Sequence, residues 1–318
     1  MPQFTERMTF RQMFAQPCFQ GWEYMLDYRR NGMDPWVEDA TMARFGQETG
    51  WPVARMLESL EFVYACCQQR QVFYPLYPES EGKALTGIAA FPLEKEAPFV
   101  MIVPGGGYKA VCSLIDGYSY AKQLNAMGYA AFVLSYRVEP SRQPAPQEDL
   151  AAAIRFVLDR AEQFRLDPRG YAVMGFSAGG HLAGSFGVAD LGYAAYDLPK
   201  PGCMILCYPV VTTEQQGGHM SSVEAFLGEA QLENTELRNR WSLEKRITPD
   251  YPPTFLWQCE TDPGVPTVNS RLLQHALEEN GVAHVYELPP YVGHGLPENA
   301  APEHEAWLSR AVAFWQQR

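Results

Sequence analysis

The sequence contains no apolar run near the roughly 18 residues that a membrane-spanning helix requires. It also lacks basic excess: 318 residues carry a net charge of −12. An anionic chain of this kind is repelled by nucleic acid and by anionic lipid, which argues against both as partners. There is no C-x-x-C pair among the seven cysteines, and two of them, Cys66 and Cys67, are adjacent. That spacing suits neither a disulfide framework nor a structural zinc site, so reduced, mostly buried thiols are expected. The opening stretch, MPQFTERMTFRQMF, has no uninterrupted apolar segment of the secretory type, and the expected location is the cytoplasm. Internal repeats and low-complexity tracts are missing. So are two nucleotide-binding motifs. The run GGGYKA is not followed by Gly-Lys-Ser/Thr, and the last position of G-x-G-x-x-G is taken by Ala110.

What is present is a hydrophobic fraction of 47%, enough for a sizeable core in one large domain or one domain with additions. Residues 1–70 read as a helical, aromatic N-terminal extension. In WPVARMLESLEFVYACCQQR, the residues Val53, Met56, Leu57, Leu60, Val63, Tyr64 and Cys67 fall at helical spacing, and Pro52 suits the first turn. From about residue 71 short apolar runs alternate with amphipathic stretches. APFVMIVP, YAAFVLSYR, YAVMGF, GCMILCYPV, TFLWQCE and AHVYELP read as strands. SYAKQLNAMG, EDLAAAIRFVLDRAEQF, HLAGSFGVA, SRLLQHALEENG and EHEAWLSRAVAFWQQ read as helices. This alternation predicts an α/β fold: a doubly wound, mostly parallel sheet with helices on both faces, over residues 71–318. Such sheets bind ligands beyond the carboxyl ends of their strands. Residues 211–250 are long for a crossover and are expected to form a lid-like helical excursion over those ends.

Four features fall at such ends. In GFSAGG, Ser177 sits on a strand-to-helix turn, where neighbours without Cβ permit the strained backbone that exposes a nucleophilic serine. In VPGGGYKA, successive glycines let backbone N–H groups converge on one point, and Gly106, Gly107 and, after the serine, Ala178 are the candidate donors to an oxyanion. Which two residues of 105–108 donate is open. In CETDPGVP, Asp262 lies just past a strand, with Glu260 as its rival. In YVGHGLPEN, His294 lies between two glycines in a loop, a poor structural choice but a suitable one for an imidazole that reaches two partners. Of the other five histidines, His181, His275, His284 and His304 read as packing or surface residues within helices and a strand. His219, in the excursion, joins Tyr108 and Tyr208 as a candidate for the pocket wall.

The order Ser…Asp…His, with a glycine loop upstream, is that of the α/β-hydrolases. PGGGY, YRV, GFSAGGHLA, CYPV, PPTFLWQCETDPGVPTVNS and GHG resemble the esterase/lipase branch that includes acetyl-xylan-esterase-like and feruloyl-esterase-like enzymes, over roughly residues 71–318. The resemblance implies a serine esterase acting on carboxylic esters, often acetyl groups on sugars. Ser177 would be the nucleophile, Asp262 the acid and His294 the base, with neither metal nor organic cofactor. Pro104 departs from the pattern, since many relatives carry histidine before the glycines. The expected partner is a small-molecule ester. The first 70 residues are expected to cap the site, brace the sheet or form a homodimer surface. Rival readings are a peptidase or lactonase on the same scaffold and, in another class, a non-catalytic binding protein of this fold.

Overall fold

Eight apolar runs form one sheet in the computed structural model, which describes residues 3–26, 36–295 and 301–318. The strands are β1 (Phe73–Pro75), β2 (Gly87–Phe91), β3 (Ala97–Val103), β4 (Ala130–Ser135), β5 (Leu166–Phe176), β6 (Cys203–Cys207), β7 (Thr254–Trp257) and β8 (His284–Glu287). Their order is β1-β2-β4-β3-β5-β6-β7-β8. Strand β2 runs antiparallel to both of its neighbours, and every pairing from β4 to β8 is parallel. The carboxyl ends of β3 and β5–β8 therefore open on one side.

The sheet is buried on both faces, which is why its central strands are apolar at every position rather than at alternate ones. Along β3, Phe99, Met101 and Val103 pack on one face, and Val100 and Ile102 on the other. The first face is covered by helices Ala145–Leu158, Ser177–Phe186 and Val268–Glu279. The second is covered by Tyr118–Ala126 and Trp307–Gln316. The N-terminal segment packs on this second face. Its longest helix, Val53–Cys67, buries Met56, Leu60 and Val63 and leaves Val53, Leu57, Tyr64 and Cys67 half-buried, as the periodicity predicted. Ser59 Oγ donates to Leu114 O at 2.7 Å, and Tyr118 Oη donates to Met25 O at 2.6 Å. Phe4, Phe14 and Phe19 lie within the same core. All seven cysteines are free thiols. No helix among the described residues is long and apolar enough to cross a membrane.

Residues 211–250 form helices Met220–Leu227 and Thr235–Trp241 with two short 3-10 turns. Val223, Phe226, Trp241 and Leu243 tie this excursion into the first core.

Leu60 is fully buried in the core that the N-terminal helix shares with the sheet's second face and the helices over it. Leu60→Ala is expected to lower unfolding free energy by about 2–5 kcal/mol, the usual cost of a cavity of this size. Urea unfolding would measure it, and a change below about 1 kcal/mol would show that the segment braces the sheet little.

Candidate active site

Strand β5 passes into helix Ser177–Phe186 without a connecting loop. Phe176 is still extended, and Ser177 turns abruptly to φ 53. A non-glycine residue there stores strain on the order of 1–3 kcal/mol. The turn is held by close backbone packing. A Cβ at Gly179 would lie 2.2 Å from Pro104 O and 2.3 Å from Val103 O, so only glycine lets the helix rest on the end of β3. Ser177 O accepts from Val210 N at 3.0 Å, which ties the turn to the loop after β6.

The glycine loop lies immediately beside it. Gly105 is fixed at both ends of its peptide: its N–H donates to Asp116 Oδ2 at 3.2 Å, and its carbonyl accepts from Cys112 N at 3.0 Å. Its amide is thus committed. Gly106 and Gly107 turn at φ 130 and 66, and their amides make no hydrogen bond among the described residues. Ala178, in the first turn of its helix, has an N–H without an intrahelical partner. Pro104 offers its carbonyl to Tyr136 Oη at 2.8 Å, so a buried phenol anchors the loop.

Beyond β7 and β8 the two strands keep company through a short bridge, Thr261 with Val292. Gly293 N donates to Thr261 O at 2.9 Å, and this brings residues 262 and 294 together. His294 Nδ1 lies 3.0 and 2.9 Å from the two carboxylate oxygens of Asp262. The Asp262 side chain is buried, and its oxygens also accept from Gly264 N, Val265 N and Gln258 Nε2 at 2.8, 3.0 and 3.0 Å. Gln258 is held by Ser270 Oγ at 2.5 Å and by Val265 O at 2.7 Å. With Nδ1 carrying its proton toward Asp262, the Nε2 lone pair of His294 is available. The rival, Glu260, is exposed.

Ser177, His294, Gly106, Gly107, Tyr208 and His219 line one open cleft of about 920 Å³. Asp262 stands behind His294. The N-terminal segment supplies Gly46, Trp51, Pro52 and Arg55 to the same wall, and the excursion supplies His219 and Ser221. Tyr208 sits just after β6 at φ 38, with its ring 4.6 Å from that of His294 and its hydroxyl donating to Asp116 Oδ1 at 3.0 Å. Burial, and then the Asp116 charge, push its phenol well above the usual range, so it stays protonated. Burial likewise raises the Asp116 carboxyl, opposed by the Tyr208 bond, by His294 in its protonated form, by the Gly105 amide and by the Arg55 charge. His219 Nδ1 lies 2.7 Å from Ser222 Oγ, and burial first, then the His294 charge, lower its pKa.

Tyr108 differs from its expected place in the pocket wall. Its ring stacks on Phe226, and its buried hydroxyl lies 2.7 Å from His181 Nδ1, because a phenol this deep needs a polar partner. His181 Nε2 lies 2.8 Å from Trp241 O. A carbonyl only accepts, so Nε2 carries the hydrogen and Nδ1 accepts from Tyr108. His181 therefore links the glycine loop, the helix after Ser177 and the excursion. Of the polar residues around the site, Asp116, Tyr136 and Gln258 had no local sequence signal. Among the described residues no group of three or more His, Cys, Asp or Glu side chains is placed to hold a metal ion.

A mostly parallel eight-stranded sheet with a strand–turn–helix elbow, a glycine loop and a His–Asp pair at its carboxyl edge defines an α/β-hydrolase. The model of the prolyl oligopeptidase family matches residues 142–318, and the chain belongs to that family. A second family model, BD-FAE, matches residues 91–192. The chain is 36% identical over 207 residues to endo-1,4-beta-xylanase B of Butyrivibrio fibrisolvens, a match covering 62% of this chain and 32% of that one. It is 28% identical over 208 residues to an acetylxylan esterase of Xylanibacter ruminicola, covering 65% and 42%. It thus spans less than half the length of either relative. Among solved structures, an acetyl ester-xyloside bifunctional hydrolase from Caldicellulosiruptor lactoaceticus superposes with a TM-score of 0.66 at 29% identity, over 78% of this chain and 96% of that one.

Burial lowers the His181 pKa to about 4, from an ordinary value near 6.5. Below pH 6.5 the unfolded chain therefore takes up a proton that the folded one refuses, and stability falls as pH drops toward 4. His181→Gln is expected to remove about 2–3 kcal/mol of the stability lost between pH 7 and 4.5. Urea unfolding of both proteins at the two pH values reads this directly, and parallel losses would contradict it.

Proposed function

We propose that the chain is a serine hydrolase of carboxylic esters, acting on short acyl esters, acetyl above all, of carbohydrates or small molecules. One observation carries the reading: Ser177, at its strained turn, shares a cleft with an imidazole whose other nitrogen is hydrogen-bonded to buried Asp262. The similarity to an acetylxylan esterase and to an acetyl ester-xyloside hydrolase supports the substrate class. The cleft volume lies near the upper end of the roughly 300–1,000 Å³ usual for small-molecule sites, room for a sugar beside an acyl group.

In this mechanism His294 Nε2 takes the Ser177 proton as Oγ attacks the ester carbonyl. Asp262 holds the imidazole in the needed tautomer and stabilises its charge. The carbonyl oxygen becomes an oxyanion, received by the amides of Gly106, Gly107 and Ala178. Collapse expels the alcohol, which takes its proton from His294 and leaves an acyl group on Ser177. Water, deprotonated by His294, then repeats the attack and frees the acid.

Ser177→Ala is expected to lower kcat/KM for p-nitrophenyl acetate by about 10⁴-fold or more. Equal rates for wild type and variant would end this reading. The family match favours a second one, cleavage of peptide bonds on the same machinery. Comparing acetylated xylo-oligosaccharides, aryl esters, lactones and prolyl-peptide anilides separates the two. The ester reading expects turnover of the acetylated sugar and aryl ester above that of the anilide, and the reverse order would favour the peptidase.

A further inference from the structure

We infer that Asp116 is a positioning residue that couples the glycine loop to the His294 side of the cleft; the inference rests on the proposed esterase reading. A run of three glycines has more conformational freedom than any other tripeptide, so amides that must meet an oxyanion there need fixing from outside. Asp116 supplies this with one oxygen. Oδ2 accepts the Gly105 N–H and commits that amide, while Gly106 and Gly107 line the cleft with theirs uncommitted among the described residues. Oδ1 accepts the Tyr208 hydroxyl, and the Tyr208 ring lies 4.6 Å from the imidazole at an interplanar angle of 59°. Asp262 holds His294 only at Nδ1, about which the ring could swing. The Tyr208 ring blocks that swing.

The mount is rigid. Asp116 ends the short helix Ser113–Asp116, and a Cβ on the next residue, Gly117, would lie 2.7 Å from Val133 Cγ1 on β4 and 2.6 Å from Ser113 O. The backbone next to Asp116 is thus packed directly against β4. It is 7% exposed and lines the cleft, yet the proposed acyl transfer gives it no proton to carry. One buried side chain therefore spans the loop after β3, the residue after β6 and, through an aromatic contact, the loop after β8.

The test measures kcat, KM and melting temperature with p-nitrophenyl acetate for wild type, Asp116→Ala, Asp116→Asn, Tyr208→Phe and the double variant Asp116→Ala/Tyr208→Phe. Asp116→Ala is expected to lose about 100-fold in kcat, comparable to loss of an oxyanion donor, with KM little changed. Tyr208→Phe is expected to lose about tenfold. Asp116→Asn keeps both hydrogen bonds if its amide donates to a reversed Tyr208 hydroxyl, and is expected to recover most of the loss. The double variant should be no slower than Asp116→Ala, because both changes break one linkage. Unchanged kcat in Asp116→Ala, additive losses in the double variant, or losses that merely follow the folded fraction would overturn the inference. If Asp116→Ala does not fold, Tyr208→Phe decides, and wild-type kcat in that variant overturns it. A wild-type protein inactive on the ester and unlabelled at Ser177 by a fluorophosphonate removes the esterase reading as well. An active wild type with unaffected variants removes this inference alone.

Discussion

The contact between Gly179 and the end of β3 fixes the geometry above the sheet. Two carbonyl oxygens, of Val103 and Pro104, lie within 2.3 Å of where a Cβ would stand. Backbone touches backbone there, so the helix bearing Ser177 and the loop bearing Gly106 and Gly107 cannot move apart or together independently. A longer side chain would separate the proposed nucleophile from the proposed oxyanion donors by the width of a methyl group. The strained φ of Ser177 is sustained by this packing, by the Val210 amide on its carbonyl and by a helix buried along its whole length. Strain of this kind persists only where its surroundings leave the chain no relaxed alternative.

The remaining polar groups act as ties between strand ends. Tyr136 holds Pro104, Asp116 holds Gly105 and Tyr208, Asp262 holds His294, and Gln258 holds Asp262. Each carboxylate among these has hydrogen bonds to both oxygens, and burial without them would be costly. His181 adds a tie between the glycine loop and the excursion. It works only as a neutral ring, one nitrogen donating and the other accepting.

Much of this was legible in the sequence because the signals are local. The central strands are unbroken apolar runs, and Leu150, Ile154 and Val157 mark an apolar stripe on helix Ala145–Leu158. Ser177, the glycines, Asp262 and His294 each stand within a few residues of a strand end. The first two strands were not legible. Phe73–Pro75 has three residues and ends in proline, and GIAAF carries glycine and alanine, which favour strands weakly. The early part of β5, LDPRG, reads as a turn, and its pairing with β3 is irregular at that point. Asp116 could not be singled out among 37 acidic residues, since its phenol partner lies 92 positions away in the chain. Tyr108 looked like a pocket residue from its place in the glycine loop. Only the fold shows that its hydroxyl is taken by His181.

The cleft is built from two stretches of chain. Its floor, with Ser177 and His294, lies within residues 91–318, which the two family models match between them. Gly46, Trp51, Pro52 and Arg55, on one wall, precede both matches. Of these, Arg55 brings its charge to Asp116, the carboxylate that holds Gly105. A change at Arg55 therefore reaches past the wall it stands in, into the electrostatic field around the glycine loop.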